Sequence, residues 1–145
     1  MKRAVHARAR ILGHPLHQIL IVFPLGLLAT SFFFDLGYLL TGRMELGTVA
    51  WWMIFAGVIG GGVAAIFGIA DFLAIPRGTR ARRIGAMHGG GNLIVALLFA
   101  ASWLLRRAEP GHPGAVAIAL SAAGVLLIIV TGVLGAELAD RMEDA

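Results

Sequence analysis

Four long apolar stretches dominate the sequence, and short polar or glycine- and proline-containing breaks separate them. They run from about residue 16 to 40, 49 to 75, 88 to 105 and 115 to 138, and none contains lysine or arginine. A helix needs about 20 apolar residues to cross a bilayer, and in lipid its backbone groups must be hydrogen-bonded internally. The pattern therefore predicts an all-α polytopic membrane protein, an up-down bundle of four transmembrane helices.

The segments that flank the apolar stretches complete the organisation. Residues 1–13 form a basic N-terminal segment, residues 14–138 the four-helix transmembrane domain, and residues 139–145 an acidic tail. Nine of the lysines and arginines lie at the end of the predicted bundle that holds both termini, and three lie at the other end. The positive-inside rule then places both termini in the cytoplasm. No internal repeat stands out along the chain.

The amino-acid composition is typical of a membrane protein and excludes several functional classes. Charged residues make up 14% of the chain and hydrophobic residues 59%, whereas soluble domains carry roughly a quarter charged residues. The net charge of +4 comes from clusters beside apolar runs, which favours a lipid partner and not nucleic acid. The absence of cysteine excludes disulfides, iron–sulfur clusters and thiolate sites. No nucleophile triad or phosphate loop appears, so the sequence assigns no enzymatic reaction.

A few polar residues at the predicted cytoplasmic end form the main functional signal. Ionisable groups within membrane helices are costly and usually face the bundle interior. Three of the predicted helices place such groups at one membrane depth, namely His14, His17, Asp71, His88 and Asn92. This convergence predicts a binding site at that end.

Each member of this set also has a structural interpretation. The histidines could lie in the hydrated interface, and the glycine-rich stripes of the helices could serve close packing alone. Asp71 could pair with a loop arginine such as Arg80 or Arg83. At the opposite end of the bundle Asp35 needs a counter-ion, for which three arginines are candidates: Arg43, Arg106 and Arg107.

Several short motifs resemble those of a known family. They are Gly-His-Pro-Leu-His at 13–17, Phe23-Pro24, Asp35, Gly-Ile-Ala-Asp at 68–71, His88 with Asn92, and the glycine-containing segment 132–138. Together they resemble the prokaryotic four-helix membrane family called domain of unknown function 2231. The resemblance covers about residues 13 to 138, and Ala136 departs from the Gly-Gly pair usual in the last helix. It implies this topology and the cytoplasmic membrane of a prokaryote, and fusion of some relatives to Rieske-type domains implies redox chemistry by analogy.

The first functional hypothesis is a b-cytochrome-like electron-transfer protein that binds haem b. His17 and His88 would be the axial ligands, because helices one and three can face each other diagonally across the bundle. His14 could replace His17 or bond a propionate, and Asp71 could orient an imidazole. Arginines at the same end would pair with the propionates: Arg8, Arg10, Arg80, Arg82 and Arg83. The redox partner would be a quinone or a larger membrane complex.

Two other hypotheses remain open. A non-haem metal site could use His14, His17, His88 and Asp71, a donor set suited to zinc, iron or copper. In the third hypothesis the protein is a structural or accessory subunit of a membrane complex, or a homo-oligomer, and the polar residues only fix the helix register.

Overall fold

Four long helices make up almost all of the fold. The computed structural model describes residues 10–11 and 14–143, and it describes side chains from residue 17 to residue 140. Strands β1 (Arg10–Ile11) and β2 (His14–Pro15) pair antiparallel and are followed by α1 (Leu16–Thr41), α2 (Met44–Ala74), α3 (Arg80–Leu105) and α4 (Ala115–Glu143). Each helix contains a span long and apolar enough to cross a membrane. The prediction of an all-α, four-span membrane protein is confirmed.

The helix α3 begins two turns earlier than hydropathy predicted, because polar side chains build its start. Thr79 caps the helix by accepting a hydrogen bond from the backbone N–H of Arg82 at 3.1 Å. The Arg82 guanidinium donates to the carbonyls of Phe72 and Ile75, at 2.7 and 3.0 Å, and lies 4.0 Å from the centre of the Phe72 ring. Arg82 therefore satisfies carbonyls at the C-terminal end of α2 while it starts α3.

The helices pack as two hairpins. The closest packing joins α1 to α2 and α3 to α4, while α2 lies beside α3, α1 lies beside α4, and α1 and α3 are diagonally opposed. Between the hairpins the core consists of five buried apolar side chains, Leu28, Ile54, Val95, Phe99 and Ile128. The bundle therefore has a dry centre, and polar residues face one another towards its two ends.

The two hairpins match each other at equivalent residues and contacts, a duplication that did not stand out from the sequence. Inward-facing residues of α1 and α3 match at a spacing of 71 positions: His17 and His88, Leu28 and Phe99, Ser31 and Ser102, Asp35 and Arg106. Residues of α2 and α4 match at 67 positions: Ala50 and Ala117, Gly57 and Gly124, Ala64 and Thr131, Gly68 and Gly135. Eight of the 25 residues in 47–71 recur unchanged at the second spacing. Equivalent residues are four positions further apart in the first hairpin than in the second, 15 from Asp35 to Ala50 against 11 from Arg106 to Ala117, so no single period aligns both helices.

Equivalent glycines make equivalent contacts in the two hairpins. A Cβ built on Gly57 would lie 2.6 Å from the Leu28 side chain, and one built on Gly124 would lie 2.6 Å from the Phe99 ring. The two large side chains are themselves at equivalent positions of α1 and α3. Small residues thus allow the helices of each hairpin to approach closely at the same level.

We expect Gly124→Ala to destabilise the protein, because Phe99 is fully buried and its ring has no room to move away. Overpacking of this kind costs about 1–3 kcal/mol. Gly132→Ala is the matched control in the same helix, since its Cβ would meet no atom within 4 Å. Thermal unfolding in detergent should show a lower midpoint for Gly124→Ala and an unchanged or higher one for Gly132→Ala. Equal midpoints would contradict the close packing.

Candidate functional site

His17 and His88 face each other between the two hairpins. His17 lies in the first turn of α1 and His88 in the third turn of α3, and both are half-buried. Their ring centroids are 6.5 Å apart and their planes make an angle of 86°. Two of the five residues expected at this end of the bundle thus form a pair of imidazoles contributed by the diagonally opposed helices.

The same backbone hydrogen bond anchors each imidazole. His17 Nδ1 lies 2.8 Å from the carbonyl oxygen of Ala64 on α2, and His88 Nδ1 lies 2.8 Å from that of Thr131 on α4. A carbonyl can only accept, so Nδ1 carries a proton in both rings, and in the neutral form of each ring Nε2 bears the lone pair. Both histidines are thereby fixed in the tautomer that leaves Nε2 able to bind a metal.

A glycine lies under each ring, one turn beyond the accepting carbonyl. A Cβ on Gly68 would be 2.9 Å from His17 Cε1, and a Cβ on Gly135 would be 2.8 Å from His88 Cε1. Any larger residue at either position would displace the ring from its carbonyl. These four positions, two glycines and two carbonyls, surround the pair, and the contacts that they make with the imidazoles were not predicted from the sequence.

Asn92 makes the two imidazoles unequal. Its Nδ2 donates to His88 Nε2 at 3.0 Å, so the lone pair of that ring already has a partner. The equivalent position beside His17 is Ile21, which has no donor to offer. The i, i+4 relationship expected between His88 and Asn92 is therefore present, and Asn92 acts on the nitrogen that would ligate a metal.

The remaining predicted residues lie outside this pair. Asp71 is half-buried on α2, three residues after Gly68, and it takes part in an interaction of its own. The side chain of His14 lies outside the described residues. Within residues 17–140 no group of three or more histidine, aspartate or glutamate side chains is arranged to hold a metal ion.

Two of the arginines assigned to propionates have other partners. Arg80 forms an ion pair with Glu137 at 3.2 Å, linking the start of α3 to α4, and Arg82 bonds the end of α2. Arg80 is thus committed to Glu137, which the sequence analysis had not placed in the site. Arg83 is exposed at the same end, while Arg8 and the side chain of Arg10 lie outside the described residues.

Comparison with known proteins identifies the family. A family model described as "Predicted membrane protein", DUF2231, matches residues 13–143. No curated protein and no solved structure matches the chain. The matched region includes all four helices and both histidines of the pair. The chain therefore belongs to the DUF2231 family of membrane proteins.

Proposed function

We propose that this integral membrane protein binds one haem b between His17 and His88 and acts as a b-cytochrome-like electron-transfer protein. The observation that carries the proposal is the pair of opposed imidazoles, each held by its Nδ1 on a carbonyl of the neighbouring helix. The pair offers two imidazole side chains, the number that would hold one haem iron.

The spacing of the rings supports this choice. Two imidazoles that bind one metal ion in line through Nε2, with metal–nitrogen distances of about 2.0–2.1 Å, have ring centroids about 6.4 Å apart. The centroids of His17 and His88 are 6.5 Å apart. The separation of the two rings is therefore compatible with one metal ion between them.

The surroundings of the pair also suit a flat, largely apolar group. Gly68 and Gly135 place no side chain beside the two rings. The two hairpins contact each other less extensively than the helices within each hairpin do. The bonds from Nδ1 to the carbonyls would orient both ligands and increase their basicity. Haem supplies one-electron redox chemistry when it is bound.

The location of the site follows from the charge distribution along the chain. We propose that the protein lies in the cytoplasmic membrane of a prokaryote with both termini in the cytoplasm, because nine of its lysines and arginines lie at the histidine end. The haem would then be near the cytoplasmic face. A membrane quinone or a subunit of a larger membrane complex is the expected class of redox partner.

We expect the protein purified in detergent, after supply of haem, to show a Soret band and to contain about one haem per chain. His17→Ala and His88→Ala should each remove one axial ligand and lower haem retention at least tenfold, since a metal–ligand bond is lost. His112→Ala is the matched control, because His112 is exposed and contacts Tyr38 at the opposite end of the bundle.

Other outcomes would overturn the proposal. A colourless protein that contains stoichiometric zinc, iron or copper would instead support a non-haem site, which needs ligands beyond the pair described here. Neither haem nor metal, together with normal folding after replacement of both histidines, would support the structural or accessory role.

We expect Asn92→Ile to tighten haem binding, because it removes the amide that competes for His88 Nε2 and reproduces the residue found beside His17. A hydrogen bond of this kind is worth about 0.5–1.5 kcal/mol, or roughly 2- to 13-fold in the dissociation constant. Ile21→Asn is the mirrored control and should weaken binding. Looser binding by Asn92→Ile would show that the amide supports the bound state.

We expect Asp71→Asn to weaken haem retention by a few-fold. Asp71 follows Gly68 by three residues and so lies on the face of α2 against which the His17 ring of α1 packs, and its negative charge would favour a ligated ferric centre. Haem titration against the wild-type protein measures the effect. Unchanged loading would remove Asp71 from the site.

A further inference from the structure

A buried ion pair joins α1 to α3 at the end of the bundle opposite the histidines. Arg106 donates to Asp35 through both terminal nitrogens, Nη1 to Oδ1 at 2.7 Å and Nη2 to Oδ2 at 3.1 Å. Both side chains are 0% exposed. Arg106 Nη2 also donates to Ser102 at 2.8 Å and Ser121 at 3.4 Å. Of the three candidate counter-ions for Asp35, the structure selects Arg106, which caps the end of α3.

The ion pair and the histidine pair lie on the same faces of the same two helices. Asp35 follows His17 by 18 residues on α1, and Arg106 follows His88 by 18 residues on α3. At 3.6 residues per turn this spacing is about five complete turns, or about 27 Å of helix. The inward faces of α1 and α3 are thus joined at two places, by the histidine pair at one end of the bundle and by the ion pair at the other.

The charges also distinguish the two halves of the repeat. Asp35 and Arg106 occupy equivalent positions of the two hairpins. An arrangement that opposed two copies of the same hairpin would bring two carboxylates or two guanidinium groups together in a dry interior, which is strongly unfavourable. The ion pair therefore favours packing of α1 opposite α3, and it defines the orientation of each helix about its own axis.

We propose that the Asp35–Arg106 ion pair is the positioning element of the histidine pair. It fixes the lateral distance and rotation of α1 relative to α3, and the two rigid helices carry that geometry to His17 and His88. The consequence for haem rests on the proposed function, whereas the consequence for helix geometry does not.

The repeat provides a matched rescue for the test. Asp35→Asn removes the carboxylate charge with little change of shape and leaves Arg106 without its counter-ion. A mirrored variant, D35R/R106D, moves the arginine to α1. Ser31 then takes the place of Ser102, because the two serines are equivalent, and the core residue Ile54 is left unchanged. We expect Asp35→Asn to lower the thermal midpoint by about 10 °C and the mirrored variant to restore most of it.

Helix geometry can be measured without any cofactor, because the chain contains no cysteine. Spin labels on Q18C and G89C would report the distance between α1 and α3 at the histidine end, since both positions are exposed and equivalent in the repeat. We expect a narrow distance distribution with the wild-type ion pair, a broad one in Asp35→Asn, and a narrow one again in the mirrored variant.

Haem binding provides the second measurement. In Asp35→Asn that remains folded, we expect part of the haem to change from six-coordinate low-spin to five-coordinate high-spin, with recovery in the mirrored variant. An unchanged distance distribution, with only a lower thermal midpoint, would show that the ion pair is a stability element and would overturn the proposal. A wild-type protein that binds no haem would contradict only the proposed function. The spin-label distances would still decide whether the ion pair positions the two helices.

Discussion

A polar group inside a membrane-spanning bundle must find its partner within the protein, because the lipid offers neither donors nor acceptors. The structure follows this constraint in different ways at its two ends. At one end each imidazole uses a backbone carbonyl of the adjacent helix. At the other end Asp35 and Arg106 neutralise each other, and Ser102 supports the arginine. Polar contacts therefore determine which helix faces meet, while the apolar centre between them fills the remaining volume.

The repeat explains how such a site can arise between two hairpins. Each hairpin contains two helices, so both copies cross a membrane in the same direction and are related by an axis along the bundle. A residue that faces this axis in one copy then meets its equivalent from the other, as His17 meets His88. Symmetry alone would give identical environments, but Asn92 against Ile21 and Ser121 against Ile54 make the halves different. The shared pattern therefore accounts for the pairing, and the positions that differ make each half specific.

The features predicted correctly from the sequence are those that depend on the hydropathy of a stretch or on the depth of a residue in the membrane. Four apolar stretches gave the four helices, and the positions of His17 and His88 at one depth predicted their proximity. The start of α3 was missed because its first turns are polar, and Arg106 was placed in a loop because it follows the last apolar residue. The carbonyls of Ala64 and Thr131 carry no signal in the sequence, since every residue has one. The repeat was missed because the two helices of the hairpin match at different spacings, 71 and 67.

A haem bound between His17 and His88, as proposed, would suit electron transfer better than catalysis. A haem with both axial positions filled by protein has no open position for a substrate, whereas a catalytic metal site keeps one. Anchoring both rings through Nδ1 limits their movement, so the coordination would change little between oxidation states. Among the described residues, Asn92 bonds His88 Nε2, the nitrogen that the proposed haem would use. That hydrogen bond is weak compared with a metal–ligand bond, so it would not prevent His88 from holding the haem.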